Sequence, residues 1–222
     1  IVGLTFLSGL LGTGHHYYYI GVNKIWLIVG GIFSALEPLA FLAMALFAVY
    51  MYRKGEKSHP NKIALFWTIG ASIVSFVGAG LLGFAHTLPQ TNLYTHGTLV
   101  TAMHGHYAFW GAYAMIVLAI ISYALPNLTG RKRYNNTSGH MAFWLSNVGM
   151  LVMTVAFGVA GVAQVYLERK MKLDFMDVQN EIAIHFVVLL VCATLFTTGI
   201  TLFIIEFIKY GKPTDEALVK EE

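Results

Sequence analysis

Charged residues are scarce in this sequence: only 11% of its 222 residues are Asp, Glu, Lys or Arg, while 57% are hydrophobic. Soluble domains contain about 25% charged residues, so this composition excludes an ordinary soluble protein and indicates one embedded in membrane lipid. The net charge is +3, but the basic residues lie in short loops between apolar runs, which excludes a nucleic-acid-binding surface. The single cysteine, Cys192, excludes an internal disulfide and is interpreted as a small packing residue.

Six apolar runs are long enough to cross a bilayer as helices. The fold class is therefore predicted to be all-α, a polytopic membrane helix bundle that forms one domain over residues 1–222. Because Ile1 is not methionine and lies inside an apolar run, we expect a fragment whose missing N-terminal part holds further spans. Turns are predicted at Gly55, Pro60 and Pro89, and at Pro126–Asn127 with Gly130. The predicted spans are 1–21, 25–52, 62–86, 95–125, 140–168 and 182–209.

The distribution of Lys and Arg predicts which helix ends face the cytoplasm. Most of these residues lie in the loops at 53–62 and 126–139 or near the C-terminus, so that side is predicted to be cytoplasmic. Those residues are Arg53, Lys54, Lys57, Lys62, Arg131, Lys132, Arg133, Lys209, Lys212 and Lys220. The opposite side holds Lys24, Arg169, Lys170 and Lys172. The last three of these lie in one loop and favour the opposite orientation.

Two histidines lie deep inside the fourth apolar run, in the motif Thr-Ala-Met-His-Gly-His at 101–106. Histidines inside a membrane span are costly unless they bind something. Residues two apart on a helix differ by roughly 200° in direction, so the side chains of His104 and His106 point to nearly opposite sides. We predict that each binds its own metal or haem; a pair of hydrogen-bonded core histidines is the alternative.

A second pair, His15 and His16, belongs to a Gly-Thr-Gly-His-His-Tyr-Tyr-Tyr motif that begins at Gly12. Adjacent helical residues diverge by only about 100°, so these two imidazoles can converge on one ion. An interfacial pair beside the aromatic belt of Tyr17–Tyr19 fits the spacing equally well. With the first motif, this pair suggests three metal sites rather than one cluster.

Glu37 is an acid in the middle of the second apolar run, where a carboxylate is costly unless it is paired, protonated or near a cation. Pro38 cannot donate to the carbonyl of Ser34, so a kink is expected there, with Ser34 on the same face as Glu37. Glu37 is predicted to be a proton donor or a carboxylate beside a metal; a protonated acid bonded to another helix is the alternative. At about 1.5 Å per residue from the outer helix ends, His16, His104 and Glu37 lie roughly 8, 14 and 18 Å deep, so the motifs can meet.

The other polar features have weaker predictions. His96 opens the fourth span and is predicted to bond a haem propionate or to lie at the interface; His86 is similar but less compelling. His59 and His140 lie in basic loops and are expected to be solvated. The glycine-rich stretch 78–83 lies inside a span, which favours close helix packing over phosphate binding.

Together these motifs resemble the catalytic subunits of bacterial nitric oxide reductases, members of the haem–copper oxidase superfamily. The resemblance is carried by Gly12–Tyr18, Phe33–Pro38, Tyr94–Thr98 and Thr101–His106, and it covers essentially the whole chain as the last six of about twelve spans. It implies a denitrification enzyme of the bacterial inner membrane that reduces two NO to N2O and water. Its active site would lie towards the periplasmic side.

The resemblance also implies the cofactors and their ligands. His15 and His16 would bind a non-haem iron, His104 a high-spin haem b3 and His106 a low-spin haem b. A structural calcium ion is a further implied cofactor.

The remaining site residues receive supporting roles from the same resemblance. Glu37 would shape the charge of the site and assist proton delivery, with Ser34 and Thr87 as proton-path candidates. His96 would lie in the haem propionate region. A third histidine and a second glutamate for the iron, and another histidine for the low-spin haem, are expected upstream of Ile1, so the fragment alone is expected to be inactive.

The electron donor implied by the resemblance is a partner subunit that carries haem c. The short tail after the last span and Met103 favour this form, and a quinol-dependent enzyme is the close alternative. An oxygen-reducing relative would hold copper, with a tyrosine cross-linked to a histidine, but a carboxylate beside imidazoles suits iron better than copper(I). A third interpretation is a haem-bearing electron-transfer subunit or metal carrier that is not an enzyme.

Overall fold

The computed structural model describes residues 2–55, 61–130 and 136–209, and within these ranges all regular secondary structure is helical. The all-α prediction is confirmed. The α-helices are α1 (Val2–Gly12), α2 (Lys24–Ser34), α3 (Glu37–Lys54), α4 (Lys62–Ser75), α5 (Gly83–Thr87), α6 (Pro89–Thr95), α7 (Leu99–Phe109), α8 (Met115–Thr129), α9 (Asn136–Val165), α10 (Phe175–Glu181) and α11 (Ala183–Lys209). A 3-10 helix covers Thr13–Tyr17, and π-helical segments cover Phe76–Leu82 (π1), Trp110–Ala114 (π2) and Tyr166–Lys170 (π3).

Among the described residues, five helical stretches are long and apolar enough to cross a membrane. They are Lys24–Lys54, Lys62–Thr87, Leu99–Leu128, Thr137–Lys170 and Ala183–Ile208. These stretches agree closely with the last five predicted spans. The first predicted span differs, because α1 stops at Gly12 and the chain tightens into the 3-10 helix, where Gly14 packs on the backbone of Trp26 and Gly30.

The predicted kink before Glu37 is confirmed. Helix α2 ends at Ser34 and α3 begins at Glu37, with Pro38 in the first turn of α3. Pro38 has no N–H for the Ser34 carbonyl. The bonds that end α2 run from the backbone N–H groups of Ala35 and Leu36 to the carbonyls of Gly31 and Phe33. The break leaves Ser34 and Glu37 at the junction of two helices.

The turn predicted at Pro126–Asn127 is wrong, because α8 continues through Pro126 to Thr129 and ends at Gly130, whose φ is +61°. Pro126 has no N–H for the Ser122 carbonyl. The side-chain amide of Asn61 donates to that carbonyl instead, at 2.7 Å. A neighbouring helix end thus satisfies the group that the proline leaves open, and the helix can continue.

The core lies between α4, α8, α9 and α11, around the fully buried Trp67. The Trp67 ring makes edge-to-face contacts with Trp110, Phe143 and Phe203, at centroid distances of 5.0 to 6.0 Å. Such contacts add to the stabilisation from burial alone. Tyr107 of α7 belongs to this core, and Val77 and Leu82 of π1 pack against it.

Neighbouring spans run antiparallel: the Leu99 N–H at the start of α7 donates to Oε1 of Gln164 near the end of α9, at 2.9 Å. The chain direction then places Lys54 and Lys62 at one end of the bundle and Lys24 at the other, as the predicted orientation requires. That orientation also depended on Lys57, Arg131, Lys132, Arg133, Lys212 and Lys220, which lie outside the described residues, as do Pro60 and His59.

Candidate metal and haem site

The imidazoles of His15 and His16 lie side by side in the 3-10 helix, with ring centroids 3.9 Å apart and planes tilted by 38°. The two rings are therefore neighbours, and their convergence on one ion stays a prediction. His15 is half-buried and His16 is exposed. Two imidazoles at this spacing can supply two ligands to one metal ion.

The hydrogen bonds of His15 fix which of its nitrogens is available. Its Nδ1 lies 2.7 Å from the Gly12 carbonyl oxygen and 2.5 Å from Oγ of Ser34. Because a carbonyl oxygen can only accept, Nδ1 carries the proton and Nε2 keeps its lone pair for a metal. Histidines that bind a metal through one nitrogen commonly donate a hydrogen bond from the N–H of the other nitrogen to a carbonyl.

The side chains of Ser34 and Glu37 both lie close to Gly12. Ser34 is fully buried, and its hydroxyl donates to the Gly12 carbonyl at 3.2 Å. A Cβ on Gly12 would lie 2.8 Å from Oγ of Ser34 and 3.2 Å from Oε1 of Glu37. The structure thus brings the predicted carboxylate and hydroxyl together beside Gly12, and the hydroxyl also contacts His15.

His104 faces the helix that contains π1. Its Nδ1 donates to the Gly78 carbonyl at 3.0 Å, which leaves Nε2 free to bind an iron. A Cβ on Gly83 would lie 3.3 Å from Cε1 of His104, so the absence of a side chain there lets the ring approach. Single-turn π segments are frequent at functional sites, and π1 supplies the accepting carbonyl here.

His106 faces a different helix. Its Nδ1 donates to the Ala102 carbonyl at 2.8 Å, and its exposed ring lies 4.8 Å from that of Phe157 on α9. The predicted divergence of His104 and His106 therefore agrees with the structure. Nε2 of His106 is again the nitrogen that can bind a metal.

These observations fit the prediction that the histidines are ligands of haem iron and of a non-haem iron. Three of the four histidines hold Nδ1 to a backbone carbonyl and leave Nε2 as a ligand atom. The ring centroids of His15 and His16 also lie 3.9 Å apart. The part of the chain that the structure describes holds no group of three His, Cys, Asp or Glu side chains that could hold a metal ion, so an iron here needs further ligands. The roles of these residues stay predictions.

The two remaining predicted residues, His96 and Thr87, lie at the ends of α6 and α5. His96 is exposed, and its ring lies 4.5 Å from that of Tyr19. Tyr19 has a φ of +69°, a region that costs a side chain other than glycine some strain. Thr87 is buried with its hydroxyl donating to the Phe84 carbonyl, and its own carbonyl accepts from the hydroxyl of Tyr18 at 2.9 Å.

The sequence alone did not single out several residues that build this site. Gly12 and Gly78 contribute backbone carbonyls that accept hydrogen bonds from site residues. His86, which was predicted to be similar to His96, is instead buried and stacked on His104. The glycine stretch 78–83 is confirmed as a place of close packing, and Gly78 lies against the backbone of Tyr107. The prediction that His140 is solvated in a loop is wrong. His140 belongs to helix α9, and its ring packs edge-on against that of Phe66 at a centroid distance of 4.6 Å.

Comparison with known proteins adds a family relationship. Residues 1–195 match the family described as Cytochrome C and Quinol oxidase polypeptide I. The chain is 41% identical over 220 residues to a nitric oxide reductase subunit of Stutzerimonas stutzeri. That similarity covers 96% of this chain and 46% of the relative, so the chain spans about half of the relative's length.

Proposed function

Because this chain belongs to the cytochrome c and quinol oxidase polypeptide I family, we propose that it is the haem- and iron-binding half of the catalytic subunit of a nitric oxide reductase. The reaction would be 2 NO + 2 e⁻ + 2 H⁺ → N2O + H2O. The identity of 41% to the nitric oxide reductase subunit of Stutzerimonas stutzeri supports this choice within the family. The observation that carries it is the Glu37 carboxylate, which lies with Ser34 beside Gly12, while Ser34 itself contacts His15 of the paired motif.

The carboxylate matters because it separates iron from copper chemistry. Hard oxygen ligands beside imidazoles suit iron, whereas soft ligands suit copper(I). His15 and His16 would provide imidazoles for the non-haem iron, and Glu37 would add negative charge close to that site. Ligands from a part of the protein outside this chain would complete the coordination.

His104 and His106 would place two haems b on opposite sides of α7. When bound, the haems and the iron would supply electron transfer and the binding of NO. The chain's own contribution is orientation: the carbonyls of Gly78 and Ala102 hold each imidazole by Nδ1 and direct Nε2 outward. Because both imidazoles come from α7, this one helix would hold both haems.

Proton delivery is the role proposed for Glu37. Each turnover consumes two protons, since one oxygen atom leaves as water. Oε1 of Glu37 and Oγ of Ser34 lie over the same glycine, and Ser34 contacts Nδ1 of His15. Glu37 would hold a proton close to the iron site, and Ser34 would be the neighbouring hydroxyl on the path. Thr87 remains a candidate for the same path through its contact with Tyr18.

We propose that the protein lies in the bacterial inner membrane, with the metal site nearer the periplasmic face. The donor would be a subunit that carries haem c; the quinol-dependent form is the alternative outcome when donors are compared. His96 would lie beside a haem propionate, where Tyr19 packs on its ring. For the structural calcium ion, the described residues offer no ligand set that we can assign.

The test uses the complete protein in membranes. Incubated with NO and an electron donor in the absence of oxygen, it should produce N2O, and the Glu37→Ala variant should fail to do so. Joint replacement His15→Ala and His16→Ala should also abolish the reaction. Retained turnover in that double variant would favour an electron-transfer protein, and oxygen consumption by a copper-containing enzyme would favour an oxygen reductase; either result would refute the proposal.

A further inference from the structure

His86 is a buried histidine with no role in the proposed reaction. It lies in α5 with 7% of its surface exposed, and its ring stacks on that of His104. The ring centroids are 5.0 Å apart and the planes differ by 25°. Two nearly parallel imidazoles from neighbouring helices therefore share a face beside the candidate haem site.

Hydrogen bonds fix both the ring of His86 and the backbone of its helix, α5. Its Nδ1 donates to the Leu82 carbonyl at 2.9 Å, one turn earlier in the same span. Its backbone carbonyl accepts from the side-chain amide of Asn92 at 2.8 Å. The next carbonyl, that of Thr87, accepts from the hydroxyl of Tyr18. The ring is thus anchored to its own helix, and α5 is anchored to the segment that follows His16.

The other nitrogen of His86 makes no comparable contact. Nε2 is buried and has no hydrogen-bond partner among the described residues. A buried polar atom without a partner is costly, so a residue kept here only for packing would be expected to be apolar. The contact that the imidazole does make is through its flat face, against His104.

Three residues of one continuous span act together on His104. The Gly78 carbonyl holds Nδ1, and Gly83 leaves room for the ring. A single hydrogen bond still allows a ring to rock about the N–H···O axis, and a flat neighbour removes that freedom. Gly78 lies within π1, and Gly83 and His86 lie in α5, which follows it directly.

We infer that His86 is a positioning residue that fixes the ring plane of His104 by stacking, and so sets the orientation of the imidazole on the haem b3 iron. This inference rests on the proposed function, in which His104 is that ligand. Groups around a metal ligand orient it and tune the metal. Most such groups act by hydrogen bonds, whereas His86 acts through its ring face.

The experiment compares His86→Leu with His86→Phe in the complete, haem-loaded protein. Leucine fills the space without a flat face, and phenylalanine keeps the flat face without a nitrogen. The measurement is the iron–histidine stretching band of the reduced high-spin haem in the resonance Raman spectrum. We expect the band to shift and broaden in His86→Leu and to keep its frequency and width in His86→Phe.

Two results would overturn the inference. One is an unchanged band in His86→Leu; the other is an equal shift in both variants, which would assign the effect to the nitrogen rather than the ring face. His185→Leu is the matched control, because this imidazole also bonds a nearby carbonyl, that of Ile182, but lies at the start of α11. If His86→Leu does not accumulate, His86→Met serves as the second variant without a flat ring.

A separate variant distinguishes failure of this inference from failure of the proposed function. His104→Ala should abolish the iron–histidine band while the low-spin haem spectrum remains. If the band survives in His104→Ala, the assignment of His104 as the ligand is wrong, whatever the His86 variants do. If it is lost there and the His86 variants behave alike, only the positioning role is wrong.

Discussion

The carboxylate of Glu37 lies directly against the backbone of Gly12: a Cβ on that glycine would be 3.2 Å from Oε1 and 2.8 Å from Oγ of Ser34. The end of α1 thus fits closely into the break between α2 and α3. That break exists because Pro38 cannot continue the hydrogen bonds of α2. The motif with the paired histidines and the motif with the acid are therefore joined at one residue without a side chain.

The first prediction concerns Gly12. Replacing it with alanine should displace the Ser34 hydroxyl and the Glu37 carboxylate, and we expect NO reduction to fall by roughly 10- to 100-fold, as for other residues that support metal ligands. Gly9→Ala is the matched control, because a Cβ at Gly9 would meet nothing within 4 Å. Equal activity in both variants would show that contact at Gly12 does not matter for the reaction.

The second prediction distinguishes proton transfer by the Glu37 carboxyl group from the space that its side chain fills. Glu37→Gln keeps the size of the side chain but cannot carry a transferable proton, so N2O production should fall by about 100-fold or more. Haem and iron contents should stay as in the unchanged protein. Asp177→Asn, in the exposed first turn of α10, serves as the control for loss of an acid. A Glu37→Gln enzyme of normal rate would exclude proton delivery by this residue.

The third prediction is that the histidines affect different cofactors. His106→Ala should remove the low-spin haem from the optical spectrum and leave the non-haem iron, because its ring faces α9 rather than π1. Joint replacement of His15 and His16 by alanine should remove the iron and leave the low-spin haem. Spectra and iron analysis of the purified variants check both results, and loss of the same cofactor in both would mean that the assignments are wrong.

Local geometry explains why much of this arrangement was predictable. The closeness of the His15 and His16 rings, the divergence of His104 and His106, and the break before Glu37 each depend on residues within a few positions of one another. Helix geometry or the chemistry of proline decides such relationships. The apolar runs likewise gave the last five spans to within a few residues.

Contacts between distant parts of the chain were not predictable in the same way. The stack of His86 on His104 joins side chains of two different helices, α5 and α7, and no local pattern in either helix indicated it. The helix at Pro126 continues because Asn61, from another span, satisfies the Ser122 carbonyl. A turn predicted from proline alone misses such a partner.

The fourth prediction tests that partner. Asn61→Ala removes the cap on Ala64 and the bond to Ser122, and should lower the free energy of unfolding by about 1 to 2 kcal/mol. Pro126→Ala supplies an N–H for the Ser122 carbonyl, so Asn61→Ala should cost less in that background. Thermal unfolding in detergent of the four proteins of this double-mutant cycle gives the coupling. An identical cost in both backgrounds would rule out the exchange of hydrogen-bond donors.

The most direct test of the proposed function is the metal content of the complete, purified protein. We predict two haems b and one non-haem iron per catalytic subunit, with the iron lost when His15 and His16 are both replaced by alanine. Copper in place of that iron would contradict the proposal and assign the chain to an oxygen-reducing branch of its family.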